Sequence, residues 1–192
     1  MPEATDESLM LAFGRGDAAA FERLYGRHRG ATFRYFLRHT SNRAVADELH
    51  QDLWLRVVRA RERYAADARF GTWLYTLARH RLVDHWRSQQ TTPLTPLDSH
   101  DDADAADPAG VHELRDDPAD PLRIVIDEQA CARLVAALEG VPAPQRDAFL
   151  LHVEAGLPLA EIAALAGVPV ETIKSRLRYA YRKLRAALED MQ

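Results

Sequence analysis

The sequence predicts an all-α protein made of two small helical domains joined by a flexible acidic linker. Apolar residues recur three and four positions apart in both halves of the 192-residue chain, whereas the alternation typical of strands is scarce. Between the halves lies a stretch rich in Thr, Pro, Asp and Ala that has no periodic apolar face. We therefore expect a first domain at 1–90, a linker at 91–121 and a second domain at 122–192.

The composition excludes several classes of protein. Hydrophobic residues make up 47% of the chain and charged residues 28%, which is typical of a globular protein and not of a disordered or fibrous one. No apolar run approaches the ~20 residues of a membrane-spanning helix, and acids occupy the start, where a signal peptide would be basic. The single cysteine, Cys131, excludes an internal disulfide. We expect a cytoplasmic protein in which the Cys131 side chain is buried in the apolar core.

The net charge of -4 conceals a strong asymmetry along the chain. Residues 1–97 carry +4, residues 98–121 carry -8, and residues 122–192 are neutral. The last part is itself polarised, because 168–187 contains six Lys or Arg and one acid, Glu171. Such a distribution indicates basic surfaces for an acidic partner, separated by an acidic tether.

Three helices are predicted in the first domain. Asp17 is suited to cap a helix that continues through Leu37, and Asn42 is suited to cap a second helix with an apolar spine and an acidic flank. A third helix is expected from about Thr72 to Gln89, with a basic exposed side.

Two residues interrupt the apolar stripe of this third helix. Arg81 and His85 fall among its buried positions, and a buried charge without a partner is costly. We expect them to pair with the acidic flank of the second helix, at Asp47, Glu48 or Asp52.

The C-terminal region has the spacing of a helix-turn-helix. A short helix near 160–166 is followed by Gly167, whose backbone can adopt the left-handed conformation, and by Pro169, which suits the first turn of a longer helix ending near Leu188. The small side chain of Ala163 lets the two helices approach. A basic helix is often only a solvated surface, but the turn geometry and the confined positive face together favour DNA binding.

The chain resembles the extracytoplasmic-function (ECF) sigma factors, the promoter-specificity subunits of bacterial RNA polymerase. In the first domain, residues 47–57 (DELHQDLWLRV) are similar to the family's polymerase-binding helix, and residues 70–78 (FGTWLYTLA) to its promoter-melting segment. In the second domain, residues 141–146 (VPAPQR), 161–163 (EIA) and 172–177 (TIKSRL) are similar to the family's C-terminal signature. The motifs occur in the family's order around a variable linker.

The resemblance implies a first domain that binds core RNA polymerase at the β′ clamp and melts the minus-10 element, and a second domain, beside the β flap, that reads the minus-35 element as duplex. The polymerase-binding residues would be Asp47, Glu48, Gln51, Asp52 and Trp54. The minus-10 residues would be Ala66, Asp67, Arg69, Phe70, Trp73, Tyr75, Thr76, Arg79, His80 and Arg87, with core packing as the alternative for Trp73. The minus-35 residues would be Arg146, Glu171, Thr172, Lys174, Ser175, Arg176, Arg178 and Arg182.

Members of this family commonly have an anti-sigma partner, and the resemblance implies neither a cofactor nor an enzymatic activity. The nearest constellation for an enzyme is His80, Asp84 and His85, but it lacks a third ligand on the same face. The stronger alternative is a conventional helix-turn-helix regulator, which would act as a dimer and not as a polymerase subunit.

Overall fold

The computed structural model describes residues 4–89 and 128–189, and this part of the chain contains eight α-helices and no strand. The all-α prediction is therefore confirmed. The helices are α1 (Asp6–Gly14), α2 (Ala18–Thr40), α3 (Arg43–Ala60), α4 (Phe70–Gln89), α5 (Glu128–Glu139), α6 (Ala143–Val153), α7 (Leu159–Ala166) and α8 (Val170–Glu189).

Helices α1 to α4 pack around one apolar core in the first domain. Leu24 and Phe36 of α2, Leu53 of α3, and Leu74 and Leu82 of α4 are all essentially inaccessible to solvent. Burying a side chain of this size stabilises a fold by about 1.5 to 3 kcal/mol. The apolar spacing of these helices is thus explained by a shared interior.

The first domain begins with a helix that the sequence patterns did not predict. Thr5 caps α1, whose Leu9 and Met10 are buried, and the carboxylate of Glu7 accepts a hydrogen bond of 2.7 Å from the backbone N–H of Phe70. That bond satisfies one of the free N–H groups at the start of α4. Helix α4 consequently begins at Phe70, two residues before the predicted start.

The predicted caps of the first domain are confirmed. The side chain of Asp17 accepts a hydrogen bond from the backbone N–H of Ala20, and Asn42 accepts from two backbone N–H groups at the start of α3. Ser41, just before it, ends α2 in the left-handed conformation with φ 51°. One short segment thus ends one helix and starts the next.

Helices α5 to α8 form the second domain, and α7 and α8 are the helix-turn-helix. Gly167 ends α7 with φ 69°, the left-handed conformation that the sequence predicted. Ile162 and Ala163 of α7 pack with Ile173 and Leu177 of α8, all of them buried. The buried stripe fixes the orientation of α8, so its polar residues face outward.

Two predictions lie outside the described part of the chain. They are the flexible acidic linker at 91–121 and the burial of the Cys131 side chain. Within the described residues, no helix is both long enough and apolar enough to cross a membrane.

Candidate nucleic-acid and polymerase interfaces

An acidic surface lies on α3, facing away from the core. Asp47, Glu48 and Gln51 are exposed, while Asp52 is partly covered. The guanidinium of Arg81 reaches over from α4, with its Nε 2.5 Å from Asp52 and its Nη2 3.4 Å from Glu48. The predicted pairing with the acidic flank is confirmed for Arg81 and stays a prediction for His85. It leaves Asp47 turned to solvent.

Trp54 does not lie on this acidic surface. Its side chain is buried, with its ring 4.8 Å from that of Tyr25 and 5.9 Å from that of Phe21. The indole N–H donates to His50 over 3.0 Å, and burial lowers the pKa of His50. The expectation that Trp54 faces the polymerase is therefore corrected, because this residue supports α3 from beneath.

The minus-10 residues of the preceding loop and of one side of α4 are accessible. Ala66, Asp67 and Arg69 are exposed before α4 begins, and His80 and Arg87 are exposed along it. Five of the predicted residues are therefore accessible in the structure.

Two of the predicted base-capture residues are core residues instead. Phe70 is fully buried, and so is Tyr75, whose ring lies 5.3 Å from that of Tyr35 in an edge-on contact. Trp73 is half-buried and packs its ring against Tyr64, at 5.0 Å, and against Phe70, at 5.6 Å. The placement of Phe70 and Tyr75 on the DNA side is corrected, and the core alternative applies in part to Trp73.

The two residues of this set not yet placed, Thr76 and Arg79, lie with His80 at a cleft between the two domains. Thr76, Arg79 and His80 contribute one wall, and Glu161 and Leu165 of α7 contribute the other, around a volume of about 360 Å³. The first domain therefore presents part of its predicted DNA surface to the second domain.

The outer face of α8 carries most of the predicted minus-35 residues. Glu171, Ser175, Arg178 and Arg182 are exposed, while Thr172, Lys174 and Arg176 are half-buried at its sides. The ammonium of Lys174 pairs with Glu171 at 2.8 Å. Helix α8 therefore offers a mixed row of donors and one carboxylate to a partner, with dimensions that fit a major groove.

Arg146 lies apart from this row, near the start of α6. Its guanidinium donates to the backbone carbonyls of Val141 and Glu139, where α5 ends, and burial lowers its pKa. It therefore closes the α5–α6 turn in this conformation.

A second set of polar contacts joins the two domains, and its centre is Glu154 at the end of α6. One carboxylate oxygen of Glu154 pairs with Arg34 at 2.7 Å, and the other accepts a hydrogen bond from Arg38. The side chains of Arg38 and Glu154 are each only 4% exposed. The hydroxyl of Tyr75 also donates to the backbone carbonyl of Glu154. A carboxylate of the second domain is thus held between two arginines of α2.

Asp147 of α6 forms the neighbouring contact. Its carboxylate accepts from the Tyr35 hydroxyl at 2.9 Å and from Arg79 at 2.9 Å, and it lies 3.4 Å from Nε2 of His39, whose side chain is 1% exposed. Burial alone would raise the pKa of Asp147, but His39 and Arg79 outweigh it and lower the pKa to about 2. Burial is the main cause that raises the pKa of Tyr35, and the negative charge of Asp147 raises it further. The contact is therefore built around an ionised Asp147.

Glu161 at the start of α7 makes the third contact. Its carboxylate accepts a hydrogen bond from the Thr72 hydroxyl and lies 3.6 Å from Nε of Arg69. Close by, Leu157 packs over Gly71. We call Asp147, Glu154 and Glu161 the carboxylate row. Its members are seven residues apart in the sequence, but the break between α6 and α7 places Asp147 and Glu161 on different helices, so this spacing gave no signal of their shared role.

No group of three or more His, Cys, Asp or Glu residues within 4–89 and 128–189 is arranged to hold a metal ion. In particular, His80, Asp84 and His85 do not form such a group.

Comparisons with known proteins agree with this arrangement. The Sigma-70 region 2 family matches residues 24–92, and the Sigma-70, region 4 family matches residues 131–184. The chain is 31% identical over 186 residues to the RNA polymerase sigma factor CarQ of Myxococcus xanthus, covering 95% of this chain and 97% of that protein. It is 30% identical over 176 residues to the ECF RNA polymerase sigma factor SigL of Mycobacterium tuberculosis, covering 91% and 92%.

The fold is also similar to that of solved structures. The structure of CnrH, solved in complex with the cytosolic domain of CnrY, matches with a TM-score of 0.68 and 19% identity, over 97% of this chain and 99% of that one. The sigma factor RpoE of Bartonella quintana, solved with the anti-sigma factor NepR, matches with a TM-score of 0.61 and 21% identity, over 88% and 96%.

The fold, the two matched regions and the helix-turn-helix define an RNA polymerase sigma factor with regions 2 and 4. More narrowly, the chain belongs to the ECF family of these factors, which bind core RNA polymerase and direct promoter-specific initiation of transcription.

Proposed function

We propose that the first domain docks on the β′ clamp of RNA polymerase and captures the minus-10 element, while the second domain lies beside the β flap and reads the minus-35 element. The observation that carries this assignment is the pairing, in one chain, of an exposed acidic surface on α3 with an exposed basic face on α8. A DNA-binding regulator has no need of the first surface.

Polymerase docking would use the acidic surface of α3. Asp47, Glu48 and Gln51 are accessible, and Arg81 holds the neighbouring Asp52 in place. Exposed carboxylates attract a basic patch and contribute most to specificity and association rate. Trp54 and His50 would act from beneath by keeping α3 rigid.

Minus-10 capture would use the loop before α4 and the accessible side of that helix. Opening duplex DNA costs about 1.4 kcal/mol per stacked step, so a nucleus of about four steps needs roughly 6 kcal/mol. Stacking a flipped base on an aromatic ring returns ~1 to 3 kcal/mol. Trp73 is the aromatic candidate, supported by phosphate contacts from Arg69, Arg79 and Arg87. The free energy returned by stacking and phosphate contacts comes close to the cost of opening the duplex without exceeding it. Melting therefore requires the polymerase.

Minus-35 reading would use the outer face of α8. Arg178 and Lys174 are placed to donate to base edges, whereas Arg176 and Arg182 suit phosphates. Glu171, at the start of the helix, can accept from a cytosine amino group. The overall charge of -4 makes the free chain a weak DNA binder, because phosphate neutralisation supplies most nonspecific affinity.

The same proposal includes the setting in which the chain works. It would act in the cytoplasm as a binding subunit without an enzymatic activity of its own. An anti-sigma factor is the expected inhibitor, in keeping with the complexes in which CnrH and RpoE were solved.

Run-off transcription with purified core RNA polymerase on a genomic promoter library tests this function. We expect discrete transcripts only when both components are present, and we expect the double variant Asp47→Ala, Glu48→Ala to weaken binding to core at least about tenfold. A matched control is Glu22→Ala, Glu139→Ala, which removes two exposed acids elsewhere. A dimer that binds a palindromic operator without polymerase would instead identify a conventional regulator.

A further inference from the structure

Helix α1 contacts both ends of the loop that connects α3 to α4. This loop, residues 61–69, carries three of the proposed minus-10 residues, Ala66, Asp67 and Arg69, and all three are exposed. No residue of α1 belongs to the proposed polymerase, minus-10 or minus-35 surfaces. Any effect of α1 on DNA binding must therefore pass through this loop and the start of α4.

The first contact holds the end of the loop that leads into α4. The carboxylate of Glu7 accepts a hydrogen bond of 2.7 Å from the backbone N–H of Phe70, the first residue of α4. Its neighbour Asp6 pairs with Nε2 of His28 at 2.6 Å, and the imidazole of His28 lies 5.2 Å from the ring of Phe70. A carboxylate at a helix N-terminus satisfies a free N–H group and interacts favourably with the helix dipole. Two successive residues of α1 therefore hold the start of α4.

The second contact holds the end of the loop that leaves α3. Gly14, the last residue of α1, lies so close to Arg61 that a Cβ atom added at Gly14 would stand 2.7 Å from the Arg61 carbonyl oxygen. The guanidinium of Arg61 in turn lies over the ring of Phe13, 5.7 Å from its centroid. Only a residue without a side chain allows this close approach of the two backbones. Gly14 thus sets where the loop begins.

The middle of the loop is anchored by Tyr64. Its side chain is buried, and its ring makes edge-on contacts with Phe70, at 6.2 Å, and with Trp73, at 5.0 Å. Burial is the main cause that raises the pKa of Tyr64, and the negative charges of Glu7 and Asp6 raise it further. The ring of the loop therefore lies beside the same acids that hold the start of α4.

These anchors are needed because the loop is longer than the distance it bridges. The nine residue steps from Arg61 to Phe70 can span about 30 Å when fully extended. Their contact points on α1, Gly14 and Glu7, are seven residues apart, or about 10 Å along a helix. A chain with that much slack samples many conformations, and ordering it at each encounter with DNA would cost conformational entropy. The contacts with α1 order the loop before DNA binds.

We propose that α1 positions the minus-10 loop, with Glu7 and Gly14 as positioning residues that set its two ends. The inference rests on the proposed function, because it concerns the loop that would capture the minus-10 element. Both residues act through the backbone, by fixing where the exposed part of the loop stands relative to Trp73. A binding site held in place by such supporting contacts discriminates between bases better than a loose one.

Base discrimination by the assembled holoenzyme tests the proposal. Run-off transcription is measured from a promoter fragment selected from the genomic library and from two copies of it with one base changed, in the minus-10 or in the minus-35 element. We expect the wild-type holoenzyme to prefer the unchanged fragment by at least about fivefold in both comparisons. Glu7→Ala and Gly14→Ala should each reduce the minus-10 preference to about twofold or less and leave the minus-35 preference unchanged.

Conservative and matched variants separate positioning from loss of folding. In Glu7→Gln, the side-chain amide oxygen can still accept the N–H of Phe70, so this variant should keep most of the minus-10 preference. Gly26→Ala adds a methyl group on α2 where no atom lies within 4 Å, and it should change neither preference. Circular dichroism and binding to core polymerase should be the same for all variants, because the buried Leu9 and Met10 of α1 remain in place.

The two preferences distinguish failure of this proposal from failure of the proposed function. If folded Glu7→Ala and Gly14→Ala kept the wild-type minus-10 preference, the positioning role would be wrong and the function would stand. An equal fall of both preferences would also overturn that role, because it would show general damage and not a displaced loop. A Glu7→Gln variant as impaired as Glu7→Ala would overturn the role of the hydrogen bond. Absence of any polymerase-dependent transcript from the wild-type chain would overturn the proposed function itself.

Discussion

The two sides of α4 hold arginines in very different ways. Arg81 points toward α3 and pairs with acids of its own domain, whereas Arg79, two residues earlier, points toward α6 and pairs with Asp147 of the other domain. The first pair is fixed by local packing, and it survives any movement between the domains. The second pair exists only while the domains are together. One helix thus carries one arginine that pairs within its own domain and another that pairs across the two domains.

The largest expected effect comes from the buried pair across the interface. In Arg38→Met, the carboxylate of Glu154 would keep only Arg34 as a charged partner at a site that is 4% exposed. Removing one member of such a pair costs about 3 kcal/mol, which we expect to weaken the packing of the two domains against each other and not the individual domains. Scattering should show expansion while circular dichroism remains unchanged. Loss of helix content would show instead that the pair maintains the fold of α2.

A second effect follows from the acidity of Asp147. An acid whose pKa is lowered by contacts between the domains favours their packing above its ordinary pKa of 3.8, and the contribution is lost as the pH falls toward about 2. A shift of this size is worth about 2 kcal/mol. The radius of gyration should therefore stay constant from pH 7 to about 4 and rise below that. Expansion that is already complete at pH 5, with the helices intact, would contradict this account.

A smaller effect is expected on the other side of α4. Arg81→Met would leave Asp52 and Glu48 without their partner, but both carboxylates can turn to water. We expect a loss of about 1 kcal/mol in the free energy of unfolding of the first domain, measured by urea denaturation. The radius of gyration should not change. An increased radius of gyration would show that loss of the Arg81 pairs also weakens the pair between Arg79 and Asp147.

The smallest effect should come from the exposed pair on α8. Glu171→Gln removes the charge from its contact with Lys174, and an ion pair three residues apart is worth about 0.2 to 0.5 kcal/mol. We expect almost no change in thermal stability, together with an altered preference for minus-35 sequences in run-off transcription. A stability loss as large as that of Arg81→Met would mean that solvent exposure does not decide how much each ion pair contributes to stability.

The sequence predicted what depends on neighbours within one segment or one domain. The caps at Asp17 and Asn42, the left-handed Gly167 and the pairing of Arg81 follow from spacing and from the cost of an unpaired charge. Each of these features involves groups whose relative positions are set by helix geometry.

Two kinds of feature could not be predicted in this way. Glu154 contacts two arginines that lie 116 and 120 positions earlier in the sequence. The composition of the linker between them does not indicate how the two domains are placed relative to each other. Aromatic residues were misplaced for another reason. Phe70 and Tyr75 were expected on a DNA surface and Trp54 on the polymerase surface. Such side chains suit an interior equally well, and only their packing against neighbouring helices decides which applies. The functional assignments of the exposed residues remain predictions.

The carboxylate row has a consequence for how the two domains can change in sequence. Asp147, Glu154 and Glu161 each accept hydrogen bonds from side chains of the first domain. Replacing any one of them leaves its donors in the first domain without that acceptor. Substitutions at these positions and at their partners are therefore coupled, although about a hundred residues of chain separate them.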